Sequence, residues 1–579
     1  MRTSIDRHQS YKYIEIKFEG QSVSAIAGES LAATLAANNL LDLRSNRIGA
    51  SRGIYCGMGI CQECLVEVDG HQNQRACMVE VDRPMSVLRQ QFPGNPPNPR
   101  EINTVATTSA TQMESIEMVV VGGGVAGMSA AAVAAEAGVK VMLLEDRSQL
   151  GGQFCKQPIP EYRLNAKTAN DPQFMLGRNL TMRVINAGVE VITGAQVWAG
   201  FPEKDLLVTC NHRTRYLRPS RLVIATGAYE QGVPFPGWTL PGVMTTGAAQ
   251  TLLRKYRVIP GQRILLAGHG PFNFHVAIEL AREGAEVIAL AELSPAPGLW
   301  SAKALFDMYR GSRQLLAQGI QYRMELNRWK ISPLYNHCIS SVEQINNSLK
   351  VELALWNDGA LKPGPNFEVD IVCTGYGFYP SNILLRSLGC SHRFDHSQKQ
   401  LVTDRSDDLE TTISGIYAVG DCAGLGGAKA AVEEGIIAGV HATNSLNYLL
   451  SSQLSQEHTT ARTRLAQHRR FQSGLWRLFA GPKLNLHLAK PETEVCRCES
   501  VTLENIDFAI RDGCISVGQI KQYTRAGMGA CQGRYCSALL AELVADKTHT
   551  PLDHHSFFAP RAPISPIRIG DIGRLGKAE

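Results

Sequence analysis

The sequence predicts an α/β chain with two nucleotide-binding strand–turn–helix units in its middle and a small cysteine-bearing domain at each end. Three observations predict it. Glycine-rich turns at Gly122–Gly127 and Gly268–Gly270 each follow an apolar run and lead through a helical stretch to a second run ending in an acid. Eight of the 15 cysteines fall in two tight groups at opposite ends. A length of 579 residues, at roughly 100–200 per domain, allows about three to five domains.

Composition narrows the classes. With 44% hydrophobic and 19% charged residues, the chain can bury a large core and is no solvating segment. The net charge of +5 is spread without a basic block, which gives nucleic-acid binding no support. The opening MRTSIDRHQS lacks the apolar stretch of a secretory signal. Met118–Ala135 runs 18 residues without a charge, the lower limit for a membrane span. It is mostly Ala and Gly, and reads as a buried strand followed by a helix. The expected place is the cytoplasm, with peripheral membrane association left open. Clustered thiols in a reducing compartment read as metal ligands, not as a disulfide framework.

The first group is Cys56, Cys61 and Cys64, with Cys77 further on. The spacing C-x4-C-x2-C plus a distant Cys is the plant-type [2Fe–2S] ligand pattern. Gly57 and Gly59 let the loop curl and bring amides towards the sulfurs. The alternative is zinc, which usually takes C-x2-C pairs. The flanks read as a hairpin at 13–18 turning on Glu19-Gly20, a helix at 30–40, and a second hairpin through Asp69-Gly70 whose return strand carries Cys77. This order resembles the β-grasp ferredoxin fold, assigned to residues 1–92. Residues 93–115, rich in Pro, Asn, Thr and Ser, read as a linker.

In the first nucleotide unit, Gly122 makes the tight turn, Gly124 admits a pyrophosphate, Gly127 lets helix and strand pack, and Glu145 is placed for a ribose hydroxyl pair. The motif alone does not choose FAD over NAD. Leu222–Gly227, with Thr226 and Gly227, and Gly415–Asp421, with Gly420 and Asp421, resemble the later FAD motifs of two-dinucleotide-binding-domain flavoproteins, as does Gly151-Gly152-Gln153. That resemblance implies FAD, with Asp421 on the ribityl chain and the Gly424–Gly439 stretch aiming a helix N-terminus at the flavin ring.

The second unit, Arg263–Asn273 with Glu286–Glu292, resembles the NAD(P)H domain inserted in the same flavoproteins, but Asn273 replaces the third glycine. A side chain there is expected to push helix from strand. A second nucleotide, NAD(P)H or another, therefore stays open, and His269 reads equally as a ligand contact or a turn residue. Cys155 has no partner cysteine nearby and reads as a packing thiol, against a dithiol relay. The domain expectation is FAD-binding segments at 116–254 and 371–446, the inserted fold at 255–370 and a polar, helix-leaning connector at 447–490.

The second cysteine group is Cys496, Cys498, Cys531 and Cys536. Two pairs on separate loops make a four-thiolate site, with structural zinc again the alternative. Residues 491–546 resemble the BFD-like [2Fe–2S] domain of bacterioferritin-associated ferredoxin, helical and small; 547–579 form a tail. Across nearly the whole chain, the order of domains resembles the large FAD/iron–sulfur subunits of bacterial hydrogen cyanide synthase, opine oxidase and hydroxyproline (proline) dehydrogenase complexes, here with the ferredoxin fused.

The resemblance implies an FAD-dependent oxidoreductase acting on CH-NH or CH-NH2 donors, one component of a heteromeric amino-acid or opine dehydrogenase. Its expected partner is a D-amino-acid-oxidase-like flavoprotein that oxidises the substrate, while this chain transfers the electrons through FAD and two [2Fe–2S] clusters. No catalytic acid, base or nucleophile constellation stands out. The alternative is an NAD(P)H-dependent reductase delivering electrons outward through the clusters. Substrate and electron acceptor stay open.

Overall fold

A computed structural model describes residues 1–3, 11–91, 113–162, 170–211, 213–357, 359–482, 484 and 486–573. Most of the expected linker lies outside them; its last three residues begin a strand.

The N-terminal sheet holds β1 (Tyr13–Phe18), β2 (Gln21–Ile26), β3 (Leu65–Val68), β4 (His71–Arg75) and β5 (Ser86–Arg89), in the order β2-β1-β5-β3-β4. Strand β1 alternates exposed and buried residues, as a sheet with one wet face requires. Helix α1 (Leu31–Ala37) is capped by Ser30, whose Oγ accepts from Ala33 N at 3.2 Å, and buries Leu31 and Leu35 against the sheet. The cysteine loop lies between α1 and β3.

The first nucleotide unit is β6 (Met113–Val121), α2 (Val125–Glu136) and β7 (Val141–Leu144). The uncharged run at 118–135 is thus a central strand and a buried helix, and no helix among the described residues is long and apolar enough to cross a membrane. Strands β8 (Glu190–Ile192), β9 (Gln196–Gly200), β10 (Leu206–Cys210) and β11 (Arg213–Ile224) extend the sheet in the order β8-β7-β6-β11-β10-β9.

The second sheet contains β12 (Val243–Thr245), β13 (Arg263–Gly268), β14 (Glu286–Glu292), β15 (Pro333–Tyr335) and β16 (Ile371–Gly375), all parallel, in the order β12-β16-β13-β14-β15. Its edge strand β12 and the inner strand β16 beside it lie outside the expected 255–370. A sheet recruits strands by register, and no local turn signal marks which sheet a short apolar run joins. Helices α3 (Thr246–Tyr256) and α4 (Pro271–Arg282) flank this sheet.

The chain then returns. Strand β17 (Ile416–Ala418) pairs in parallel with β11, and helix α5 (Ala428–Asn444) lies on α2. A Cβ at Gly435 would sit 2.2 Å from Ala126 O, and one at Gly439 2.7 Å from Ala130 O. Glycine lets the two backbones touch, which brings both helix N-termini to the same place. The connector forms a 27-residue helix, α6 (Ser452–Leu478), that buries Leu454, Ala461, Leu465 and Phe471 along one stripe. The C-terminal domain contains α7 (Leu503–Arg511), α8 (Val517–Thr524) and α9 (Ser537–Thr548) around its own core of Val495, Ile506, Ile520 and Leu540.

Candidate functional site

One cavity of about 810 Å³ crosses the first nucleotide fold and reaches Pro271, Phe272 and His275 at the start of α4 in the second. Gly122, Gly124, Glu145, Gly152, Gln153, Thr226, Gly227, Gly420 and Asp421 all line it. Gly127 lies beneath the floor: a Cβ there would come 1.9 Å from Gly122 O. Gly122 itself has φ +111°, and a Cβ on it would meet Ala225 O at 2.3 Å. A side chain on Gly124 would meet only Gly152 Cα, at 3.9 Å, so its backbone faces the cavity.

Glu145 is buried at the end of β7. Its Oε2 accepts from Gly123 N at 2.7 Å and its Oε1 from Arg147 N at 3.2 Å. Burial, with Asp146 beside it, pushes the carboxyl up to about 8. Asp421 uses Oδ1 to accept from the amides of Gly426 and Gly427, both at 2.9 Å, and so braces the turn that starts α5. Gly427 and Ala428, at the N-terminus of α5, line the cavity, as does Val125 at the start of α2. Two helix N-termini and a glycine floor on one large cavity suit a dinucleotide such as a flavin.

Several lining residues carry no motif. Lys156, in the left-handed region at φ 39°, donates from Nζ to Gln250 Oε1 at 2.8 Å and to Gly247 O at 3.1 Å. Burial lowers its ammonium to about 7, against the pull of Glu230, whose own carboxyl burial raises to about 7. The tail, absent from any sequence expectation of the site, places Ile564, Ser565 and Pro566 on the cavity wall. Ile564 N donates to Trp198 O at 2.7 Å, and Arg534 Nη2 to Ile564 O at 2.8 Å. Cys155 is fully buried with its thiol pushed up to about 12 by desolvation, an inert packing group.

The N-terminal cysteine loop reaches the same cavity. Cys56, Met58, Gly59 and Ile60 line it, and Arg147 Nη2 donates to Met58 O at 3.2 Å. Cys56 Sγ accepts from Met58 N at 3.5 Å and Cys61 N at 3.4 Å; Cys61 Sγ accepts from Glu63 N at 3.4 Å. Burial pushes the Cys56 thiol up, but the Cys61 thiol and the loop amides outweigh it and bring it to about 6. Cys64 and Cys77 hydrogen-bond to each other. Amides aimed at sulfur suit thiolate ligands.

In the C-terminal group, Cys498 Sγ lies 3.9 Å from Cys496 Sγ and 3.6 Å from Cys531 Sγ, and Cys536 contacts Cys496. Thiolates on one tetrahedral metal at about 2.3 Å stand about 3.8 Å apart, which these spacings bracket. Gly527 N donates to Cys496 Sγ at 3.4 Å, and a Cβ on Gly529 would strike Cys498 Sγ at 2.5 Å. Among the described residues no three or more Cys, His, Asp or Glu converge as a single-ion shell. The four thiols instead run in a chain, Cys536–Cys496–Cys498–Cys531, so that all four sulfurs are neighbours in one pocket of the second loop pair. Arg534, inside the second cysteine loop, lines the flavin-shaped cavity.

The second nucleotide fold is built differently at its mouth. Glu292 is fully buried and accepts from Gly270 N (3.0 Å), Ser294 N (2.8 Å), Ser294 Oγ (2.8 Å) and His269 Nδ1 (3.2 Å). Asn273 is buried without pushing outward: Nδ2 donates to Gly375 O at 2.8 Å, and Oδ1 accepts from Thr246 Oγ1 at 2.8 Å. Its amide ties α4 to β16 and α3, so the space a helix–strand glycine leaves empty is filled by paired polar atoms. His269 packs edge-on to Phe479 at 6.3 Å, and Gly481 lies beside the same ring, so the segment just after α6 packs against this turn.

Residues 116–435 match the pyridine nucleotide-disulphide oxidoreductase family model. The chain belongs to that family. Residues 12–91 match a 2Fe-2S iron-sulfur cluster binding domain, and residues 491–574 the sarcosine oxidase A3 domain. An opine oxidase subunit of Agrobacterium tumefaciens (strain Ach5) is 31% identical over 79% of this chain and 92% of its own length. Hydrogen cyanide synthase subunit HcnB of Pseudomonas aeruginosa is 28% identical over 80% and 99%. The crystal structure of L-proline dehydrogenase from P. horikoshii shares the fold, with a TM-score of 0.71 over 99% of this chain and 100% of that one, at 20% identity. This member of the family is an FAD-dependent oxidoreductase with [2Fe–2S] domains.

Proposed function

We propose that this chain is the electron-transferring component of a heteromeric amino-acid or opine-type amine dehydrogenase, with the substrate oxidised on a D-amino-acid-oxidase-like partner flavoprotein. The observation that carries the reading is the single cavity. Its wall includes Cys56 from one cysteine loop and Arg534 from the other. A bound flavin exchanges electrons in pairs or singly, whereas each iron–sulfur cluster takes one at a time.

In this reading, Gly122, Gly124, Gly152, Gly227 and Gly420 shape the cradle, with Glu145, Gln153, Thr226 and Asp421 as its polar contacts and Gly127 holding the floor. Cys56, Cys61, Cys64 and Cys77 ligate one cluster; Cys496, Cys498, Cys531 and Cys536 ligate the other. The domain limits follow the same reading, with the inserted fold widened to take in β12 and β16. Arg147 and Arg75 hold the cluster loop by its carbonyls, the latter through Gly59 O at 2.9 Å. The opine oxidase and hydrogen cyanide synthase relatives are named as subunits, which supports the heteromer. The saturated Glu292, and Phe479 packed edge-on to His269 beside the turn, weigh against the alternative, an NAD(P)H-fed reductase.

An anaerobic dye-linked assay tests the proposal. The chain alone is expected to be inert towards glycine, opines and proline-type substrates, and to become active when co-purified with its partner. Turnover of any of these by the isolated chain would end the division of labour.

A further inference from the structure

The two cysteine groups lie at opposite ends of the sequence, yet they share one buried junction. Arg497 stands between Cys496 and Cys498 and is buried. Its guanidinium lies 3.8 Å from the centroid of the Tyr55 ring and 4.5 Å from that of Trp238, and Nη1 donates to Trp238 O at 2.7 Å. Tyr55 immediately precedes Cys56. Nε of Arg497 also stands 3.5 Å from Oε1 of Glu63, which sits between Cys61 and Cys64 and is fully buried. One side chain of the second ligand loop therefore touches neighbours of three ligands of the first.

The surroundings make that contact a charged one. Glu63 also faces Arg44 at 3.3 Å and Arg52 at 3.7 Å, and Arg52 pairs with Glu494 at 2.6 Å. Three guanidiniums thus meet two carboxylates, leaving net positive charge between two sites that are anionic once loaded. Tyr535, the residue before Cys536, packs edge-on to Tyr55, with the ring centroids 5.4 Å apart. Its buried hydroxyl has no hydrogen-bond partner among the described residues. A buried ion network is costly to build unless it is fully paired, and it serves better as a device for specificity than for stability.

We propose that Arg497 is a positioning residue that joins the two cluster sites into one electron path, its fixed charge raising the potential of both. This rests on the reading of the eight cysteines as ligands of two clusters. In the step it serves, one electron leaves one centre, oxidising it by one, and enters the other, reducing it by one. Arg497 keeps its proton and no bond changes. A cation held by aromatic faces in a dry junction acts on both centres at low screening, and cluster potentials follow local charge and hydrogen bonding.

Potentiometric EPR titration of the anaerobically isolated full-length chain reads this directly. Two [2Fe–2S] signals are expected in the wild type, broadened by mutual interaction when both centres are reduced. In Arg497→Met the reduced-to-oxidised ratio at fixed potential should fall at least tenfold for each centre, which is about 59 mV for a one-electron couple. Arg497→Lys, which keeps the charge, should stay within about threefold of wild type on the same conversion. A Met variant that leaves either centre unshifted overturns the inference, as does a Lys variant that shifts as far as Met. If Arg497→Met does not accumulate, unbroadened signals in the fully reduced wild type overturn it instead. Fewer than two cluster signals in the wild type would remove the ligand reading itself; two signals with unmoved potentials remove only the role of Arg497.

Discussion

The two nucleotide folds of this chain begin from the same pattern and end as opposites. In the first, the acid after the second strand lines the cavity and accepts from two backbone amides. In the second, Glu292 is saturated by four donors, Asn273 fills the helix–strand gap, and Phe479 and Gly481 pack against the turn. A strand–glycine–helix pattern therefore fixes the fold of each half. What the rest of the chain places at its mouth differs, although Pro271, Phe272 and His275 of α4 still line the cavity of the first fold.

The largest effect should come from the floor of the first fold. Gly127→Val drives a side chain into Gly122 O, and is expected to lower stability by about 3 kcal/mol or more. It should also abolish retention of flavin, read by visible absorbance and thermal unfolding. The mirror change in the second fold should do the reverse of what a motif suggests. Asn273→Gly restores the glycine but strips Gly375 O and Thr246 Oγ1 of their buried partner, at about 2–3 kcal/mol. NADH should still leave the flavin unbleached under anaerobic conditions, because Glu292 and Phe479 are unchanged. Bleaching in this variant would mean that Asn273 alone closes the site.

A third test titrates the acid of the first fold. Glu145 ordinarily titrates at 4.5 and is raised to about 8 by burial. Between those values the folded state holds a proton that the unfolded state has lost. Stability from this group is complete below 4.5 and disappears as pH rises through about 8, with a slope approaching ~1.4 kcal/mol per pH unit. Glu145→Gln should flatten that slope in unfolding measured across the window. The smallest effect is expected at His269→Ala, about 1 kcal/mol from one lost hydrogen bond and a ring contact. Flavin content should not change; a loss of flavin would show that the two mouths are coupled.

Much of this was legible in the sequence because it is local. The C-x4-C-x2-C loop, the Gly122–Gly127 turn and the hairpin at Glu19-Gly20 announce themselves through spacing and alternation over short windows. What stayed hidden is long-range. Strands β12 and β16 carry no mark of the sheet they join. Asn273 reads as a defect until Gly375 and Thr246 are seen on either side of it. Ile564 and Arg534 close the flavin-shaped cavity from residues hundreds of positions away, and Arg497 meets Glu63 across more than 400 residues. Nothing in the composition of a tail such as Arg561-Ala-Pro-Ile-Ser-Pro says which wall it will form.

The central claim is that one flavin cavity borders two iron–sulfur sites in a single conducting chain. Anaerobic reductive titration with visible and EPR detection, on protein with quantified iron and flavin, tests it most directly. About four electrons per chain are predicted, two for the flavin and one for each cluster, with about four irons. Two electrons, with zinc in either cysteine group, would contradict it.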